Sequence, residues 1–246
     1  MASLRSVFHA IAFITILFLT IYLSLVPTLL FIKYYEFPDG PLCLYLLKGA
    51  FYILCLILNL ILGFMLVPPL LFRIFRLKPK AGIHEMKLED KEFFKWFVGG
   101  ALFQISFKIA NALSFLAKTF VVKAFGGKVG KNSWIVGDVT EPYLFEMGDN
   151  SIIAGQAIVN NHVSEHGVLI LDYVKIGNNC LVGEKSIVMP GVVLEDNVLV
   201  GALSFVPKNR HLTRGIWAGN PVKFIKDIPN KGIREEKNYR KNESQQ

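Results

Sequence analysis

The sequence predicts an α-helical membrane anchor followed by an all-β domain, a parallel β-helix. Two long uncharged apolar runs lie in the first third of the chain. Through the second half, an aliphatic residue recurs at every sixth position, often with glycine directly after it. The chain is 246 residues long, enough for one folded domain plus an anchor.

The first run, Val7 to Ile32, carries no charge. About 20 residues cross a hydrocarbon core, so it is long enough to span with tilt. A cleaved signal peptide would have a shorter apolar region and a small-residue cleavage site, and neither is present. The second run, Gly49 to Val67, is also uncharged, with Lys48 at its start and Asn59 near its middle. Asn59 is read either as a hydrogen-bond partner for a neighbouring helix or as an isolated, tolerated amide. Pro68-Pro69 is expected to end the span. These runs account for the 52% apolar content and the mean hydropathy of +0.43.

The connection from Lys33 to Pro41 has little net charge, whereas Arg73, Arg76, Lys78, Lys80, Lys87 and Lys91 follow the second span. The positive-inside rule puts that segment, and both termini, in the cytoplasm. The net charge of +8 is assigned to this membrane setting, because no basic, aromatic-interleaved nucleic-acid motif is seen. Phe93 to Val122 is apolar but interrupted by Lys95, Gln104, Lys108, Asn111 and Lys118. It is read as one or two amphipathic helices on the cytoplasmic surface; a third span is disfavoured by its lysines. Cys43, Cys55 and Cys180 form no framework spacing and are read as reduced packing residues.

The repeat comes in two frames. Ile170, Ile176, Val182, Val188, Leu194, Val200 and Val206 form one; Val129, Ile135, Met147, Ile153 and Val159 form the other, broken only at Glu141 before Pro142. A helix would need apolar spacings of three and four, and a simple amphipathic strand a spacing of two. A period of six instead gives one short strand and one turn per unit, with the aliphatic residue inside. The frames do not join, since Val159 to Ile170 is eleven positions, one short of two hexads. The mismatch falls on Asn160 to Gly167, which must leave the lattice as a loop. That loop carries His162, Glu165 and His166, and a titratable loop on a rigid solenoid is where chemistry is expected. The expected divisions are a transmembrane hairpin (1–75), a linker with interfacial helices (76–125), the β-helix (126–229) and a polar disordered tail (230–246).

On these residues, Met147 to Lys223 resembles the hexapeptide-repeat acyltransferases. The closing segments Leu203 to Lys208 and Gly215 to Lys223 resemble the end of that domain. The similarity is closer still to the C-terminal membrane part of polylysine-synthase-like peptide synthetases. It includes Phe125 to Gly130, the His162 loop and the Trp217 segment. The resemblance implies that the β-helix is left-handed. It also implies an acyltransferase that uses an acyl-CoA or acyl-carrier thioester, and a homotrimer. The acceptor would be a hydroxyl or amine at the membrane surface. The chain is without the synthetases' adenylation and carrier domains, so peptide formation does not carry over.

Site expectations follow. His162 is the candidate general base, since an imidazole titrates near neutrality. Glu165 either orients that imidazole, contacts an amine acceptor, or is an exposed loop acid; His166 either takes part or only shapes the loop before Gly167. Asp149 is read as a turn residue. Along the later rungs, Gly183, Ser186, Gly201 and Ser204 either let a pantetheine arm approach, as the resemblance implies, or are ordinary tight-turn residues. Lys208, Arg214 and Lys223 either meet donor phosphates or are surface cations. Trp217 either stacks on a ligand or packs the final turn. No metal is expected. The rival functions are a zinc enzyme of γ-carbonic-anhydrase type, with His162, His166 and His211 as ligands across subunits, and a non-catalytic trimeric scaffold.

Overall fold

A computed structural model describes residues 4–34 and 41–228. The expected disordered tail, 230–246, lies outside the described residues, as does most of the connection between the spans.

Helix α1 (Leu4–Tyr34) and helix α2 (Leu42–Ile74) are long and apolar enough to cross a membrane. They approach closely where Gly63 meets α1: a Cβ there would lie 2.6 Å from Ser24 Cβ. Thr20 and Ser24 are buried and donate to the carbonyls four residues back, which satisfies hydroxyls that face no water. Asn59 resolves to the local alternative, with Nδ2 donating to Cys55 O of its own helix at 2.8 Å.

Contrary to expectation, α2 continues through Pro68 and Pro69. Proline removes the N–H that would bond the carbonyl four residues earlier, here that of Phe64. The hydroxyl of Ser106 donates to that carbonyl at 2.7 Å, so the freed group keeps a partner.

Helix α3 (Lys91–Leu113) and helix α4 (Phe115–Ala124) form where the sequence predicts helices. Asp90 caps α3 by accepting from Glu92 N and Phe93 N; Ser114 caps α4 by accepting from Ala117 N. These helices are more enclosed than surface-lying amphipathic ones would be. Gly99 lets α3 close on Phe72 of α2, and Val98, Leu102, Phe103 and Ala110 are at most 1% exposed. Lys118, expected on a polar face, is buried. Its Nζ donates to Val136 O at 2.7 Å and pairs with Asp138 at 2.9 Å.

The second half is a parallel β-solenoid of three faces. The first stacks Lys128–Val129, Phe145–Met147, Val174–Ile176, Val193–Leu194 and His211–Leu212. The second stacks Trp134–Ile135, Ile152–Ile153, Leu181–Val182, Val198–Val200 and Gly215–Ala218, closed by antiparallel Lys223–Lys226. The third stacks Asp138–Val139, Ile158–Val159, Ile187–Val188 and Phe205–Val206. The hexad aliphatics fill the interior: Ile135, Ile153, Val159, Val182, Val188, Val200 and Val206 are 0% exposed.

A polar ladder runs along one corner. Asp149 Oδ1 accepts from Lys131 N, Asn178 Oδ1 from Asp149 N, and Asp196 Oδ1 from Asn178 N, each at 2.7 Å. The Asn178 backbone N–H, and then its side-chain amide, hold the Asp196 carboxyl below its ordinary pKa. One residue on, Asn132, Asn150, Asn179 and Asn197 all take positive φ, a conformation asparagine tolerates better than most. These turns therefore rest on the left-handed asparagine as much as on the glycine that stands two residues before it in three of the four.

The lattice resumes later than the aliphatic spacing suggests. Ile170 is not an interior rung residue; it lies in the strand Val168–Leu171, and the solenoid restarts at Val174–Ile176. His162–Glu165 and Val168–Leu171 form a hairpin. Gly82–Glu85, from the segment assigned to the linker, adds a third antiparallel strand to it.

Candidate functional site

Rungs joined by ladder bonds are 18 residues apart, but 29 apart across the break, so the insertion is 29 − 18 = 11 residues. Those extra residues make the hairpin that carries His162.

Glu141 stands at the one hexad position that lacks an aliphatic residue, and its side chain is 5% exposed. Buried carboxylates need several hydrogen bonds. Glu141 accepts from Trp96 Nε1 at 2.9 Å, from the Thr140 hydroxyl, and from the Nδ1–H of His162 at 2.8 Å to its nearer oxygen. With Nδ1–H directed at the carboxylate, Nε2 is left as the imidazole's acceptor atom. Burial on its own would lower the His162 pKa; the hydrogen bond and the charge of Glu141 together outweigh it, and the pKa is raised.

Around this pair, Trp96 sets its ring edgewise to the imidazole, centroids 5.2 Å apart. Thr140 Oγ1 also accepts from Asn161 N at 3.0 Å, and the buried Asn161 side chain donates to Leu144 O at 2.9 Å. The residue before His162 is therefore pinned through both its backbone and its side chain. The imidazole remains 29% exposed. A cavity of about 450 Å³ is lined by Thr140 and Asn160, the chain neighbours of Glu141 and Asn161, and by Gln104 and Lys108 of α3.

The other expected residues distribute as follows. Glu165 does not reach His162; it accepts from Lys208 Nζ at 2.8 Å in an exposed pair. Lys208 is thereby engaged by a carboxylate. His166 is exposed at the hairpin turn with φ 49°, a turn-shaping position. Ser186 and Ser204 bury their hydroxyls in the solenoid: Ser186 Oγ donates to Gly201 O and accepts from Ser204 N, while Ser204 Oγ accepts from Gly219 N. Neither hydroxyl faces a surface on which a pantetheine arm could lie.

Gly183 and Gly201 serve rung packing in the same way. A Cβ at Gly183 would lie 2.5 Å from Ala202 N, and one at Gly201 would lie 2.9 Å from Ala218 Cβ. Trp217 donates from Nε1 to Thr213 O and meets Phe224 edge-on at 5.4 Å, packing the final turn. Lys223 is exposed on the closing strand. His211 pairs with Glu195 at 2.9 Å, and among the described residues of one chain no three His, Cys, Asp or Glu gather as a metal group.

Sequence reasoning missed Glu141 and Trp96. The broken hexad was the signal for Glu141. Nothing local marks Trp96.

Residues 173–205 match a family model described as the hexapeptide repeat of succinyl-transferase. Delta-poly-L-ornithine synthetase of Acinetobacter baumannii is 34% identical over 135 residues, which is 53% of this chain and 10% of that protein. A putative colanic acid biosynthesis acetyltransferase, WcaF, of Escherichia coli is 26% identical over 136 residues, 45% of this chain and 74% of the relative. Gamma carbonic anhydrase 2 of Arabidopsis thaliana mitochondria is 30% identical over 88 residues, 35% of this chain and 27% of the relative. The chain thus spans a tenth of the length of the synthetase and about a quarter of the anhydrase.

Proposed function

We propose, for a chain that its repeats make a member of the hexapeptide-repeat acyltransferase family, a membrane-anchored acyltransferase with His162 as general base. The donor is a thioester, acyl-CoA or acyl-carrier, and the acceptor a hydroxyl or amine at the cytoplasmic membrane surface. The observation that carries the reading is the Glu141–His162 pair, a partly exposed imidazole whose Nδ1–H is held by a buried carboxylate. Glu141 fixes the tautomer and ring orientation and stabilises the imidazolium that forms during transfer.

In the reaction, Nε2 takes the proton of the acceptor as its oxygen or nitrogen attacks the thioester carbonyl. The carbon–sulfur bond then breaks. The departing thiolate takes the proton back from the imidazolium, leaving a free thiol and the acylated acceptor. No metal is needed for this balance.

Two helices of spanning length support the anchor, and the basic residues from Arg73 to Lys91 support a cytoplasmic β-helix with both termini inside. We further infer a homotrimer, in which the rim of one subunit's His162 hairpin faces the later rungs of the next, in closed cyclic symmetry. Leu203, 71% exposed on those rungs and in a left-handed turn, supports a covering neighbour there.

The test is a screen of purified protein against acyl-CoA donors and amine or hydroxyl acceptors, read by free-thiol release. Turnover that falls about 10²–10⁴-fold in His162→Ala is expected. Full activity in that variant would overturn the base assignment. Stoichiometric zinc that copurifies with the chain and is lost in the variant would replace the reading with the carbonic-anhydrase one. For topology, Ser244→Cys should label from the cytoplasmic side and Asp39→Cys from the opposite side.

A further inference from the structure

We propose that the chain holds a binding site for a membrane lipid that bears a phosphate, built where the second span meets the first solenoid turn. This rests on the membrane-anchored reading above and names the chemical class of the acceptor, a lipid-borne phosphate compound.

Two cavities meet at Arg73. One, of about 720 Å³, is lined by the cations Arg73, Arg76, Lys78, Lys80 and Lys95. The other, of about 570 Å³, is lined by Leu66, Pro69, Leu70, Phe120 and Ala124, with Arg73 at the shared edge and Lys123 beside Ala124. An apolar trough that ends in a cationic bowl matches one kind of molecule, an apolar chain with an anionic head.

The charge in the bowl exceeds what the fold itself needs. Arg73 Nη2 donates to Ala124 O at the end of α4, and Arg73 and Arg76 sit at the end of α2. Those two helix C-termini present roughly −0.5 each. Glu92 adds one carboxylate, paired with Lys95 at 2.8 Å. Set against five cations, this leaves roughly three positive charges unmatched. Among the described residues no carboxylate pairs with the side chains of Arg73, Arg76, Lys78 or Lys80. Arginine's planar fork suits a phosphate.

Placement favours a lipid over a soluble phosphate compound such as CoA. The trough lies on the apolar flank of α2, with Leu66 and Leu70 exposed along it, and the bowl opens just past its apolar end, at headgroup level for a spanning helix. Two residues of the bowl are chain neighbours of groups that hold the candidate base. Lys95 precedes Trp96, which bonds Glu141, and Tyr173 follows Asp172, whose carbonyl accepts from Asn161. A lipid head seated there brings its substituent toward His162.

The experiment is native mass spectrometry of the full chain in detergent, with four probes: dioleoyl phosphatidic acid, dioleoylglycerol, inorganic phosphate and CoA. The expected result is one phosphatidic acid per chain, bound at least tenfold more tightly than dioleoylglycerol, and not displaced by CoA. Combined Arg73→Ala, Arg76→Ala and Lys78→Ala should weaken it at least tenfold, while Arg73→Lys with Arg76→Lys retains most of it. Phe120→Ala should weaken the lipid without affecting inorganic phosphate. Equal binding of dioleoylglycerol, or an equal loss on neutralising Lys175, Lys185 and Lys226 of the solenoid, would reduce the site to general attraction and overturn the proposal. Displacement by CoA would assign the bowl to the donor and overturn it too. Because this readout needs no turnover, it fails or succeeds independently of the thiol-release assay.

Discussion

The Nδ1–H of His162 is held 2.8 Å from a carboxylate oxygen of Glu141, which interrupts the count of aliphatic sixth positions in the sequence and lies just after Val139, the residue that fills the rung interior in register with Val159. The acid is nearly buried and is stabilised by three donors rather than by solvent.

The first prediction is a pH dependence. The base acts as neutral imidazole, so turnover should rise with pH through the raised His162 pKa. Glu141→Gln removes the charge that raises it and leaves the burial that lowers it. The ascending limb should shift to lower pH while the maximal rate falls, by about 10²-fold or more. The same linkage affects stability: with the folded pKa raised, the contribution of protonated His162 is full below the unfolded value near 6.5 and is lost as pH rises through the folded one. An unmoved limb in pH-rate profiles would remove Glu141 from the assignment.

The second separates Glu141 from Glu165. Glu165 and Lys208 are an exposed pair, worth on the order of 0–1 kcal/mol. Glu165→Ala should leave both the pH limb and the melting temperature close to those of the parent. A displaced limb would show that Glu165 orients the imidazole after all.

The third concerns α2. Ser106→Ala leaves the Phe64 carbonyl without the donor that replaces the missing Pro68 N–H, and should cost about 0.6–1.7 kcal/mol in detergent denaturation. Pro68→Ala restores an N–H to that carbonyl, so the double variant should lose less than the sum of the singles. Strict additivity would show that the Ser106 hydroxyl does not serve this carbonyl.

The fourth asks what the rung glycines do. Gly183→Ala drives a Cβ into the backbone at Ala202 and should cost about 1–3 kcal/mol with no ligand present. Gly100→Ala, in α3 with nothing within 4 Å, should stabilise by up to about 1 kcal/mol. If Gly183→Ala melted like the parent and lost only donor affinity, the glycine would belong to a cofactor site.

The sequence by itself determined the two long apolar helices, the helices after them, the period of six and the break that expels the His162 hairpin. All of these are written in local spacing, because each rung repeats the same burial requirement over a few residues. Only the tertiary structure decided which groups meet His162. Glu141 lies 21 residues from it, Trp96 a further 45 from Glu141, and Ser106 and the carbonyl it serves are 42 apart. Partners at such separations are chosen by how α3 packs between the second span and the solenoid. No periodicity encodes that contact. The same packing let α2 run through two prolines and recruited Gly82–Glu85 as a strand, since a buried carbonyl or an open hairpin edge takes whatever donor the fold brings beside it.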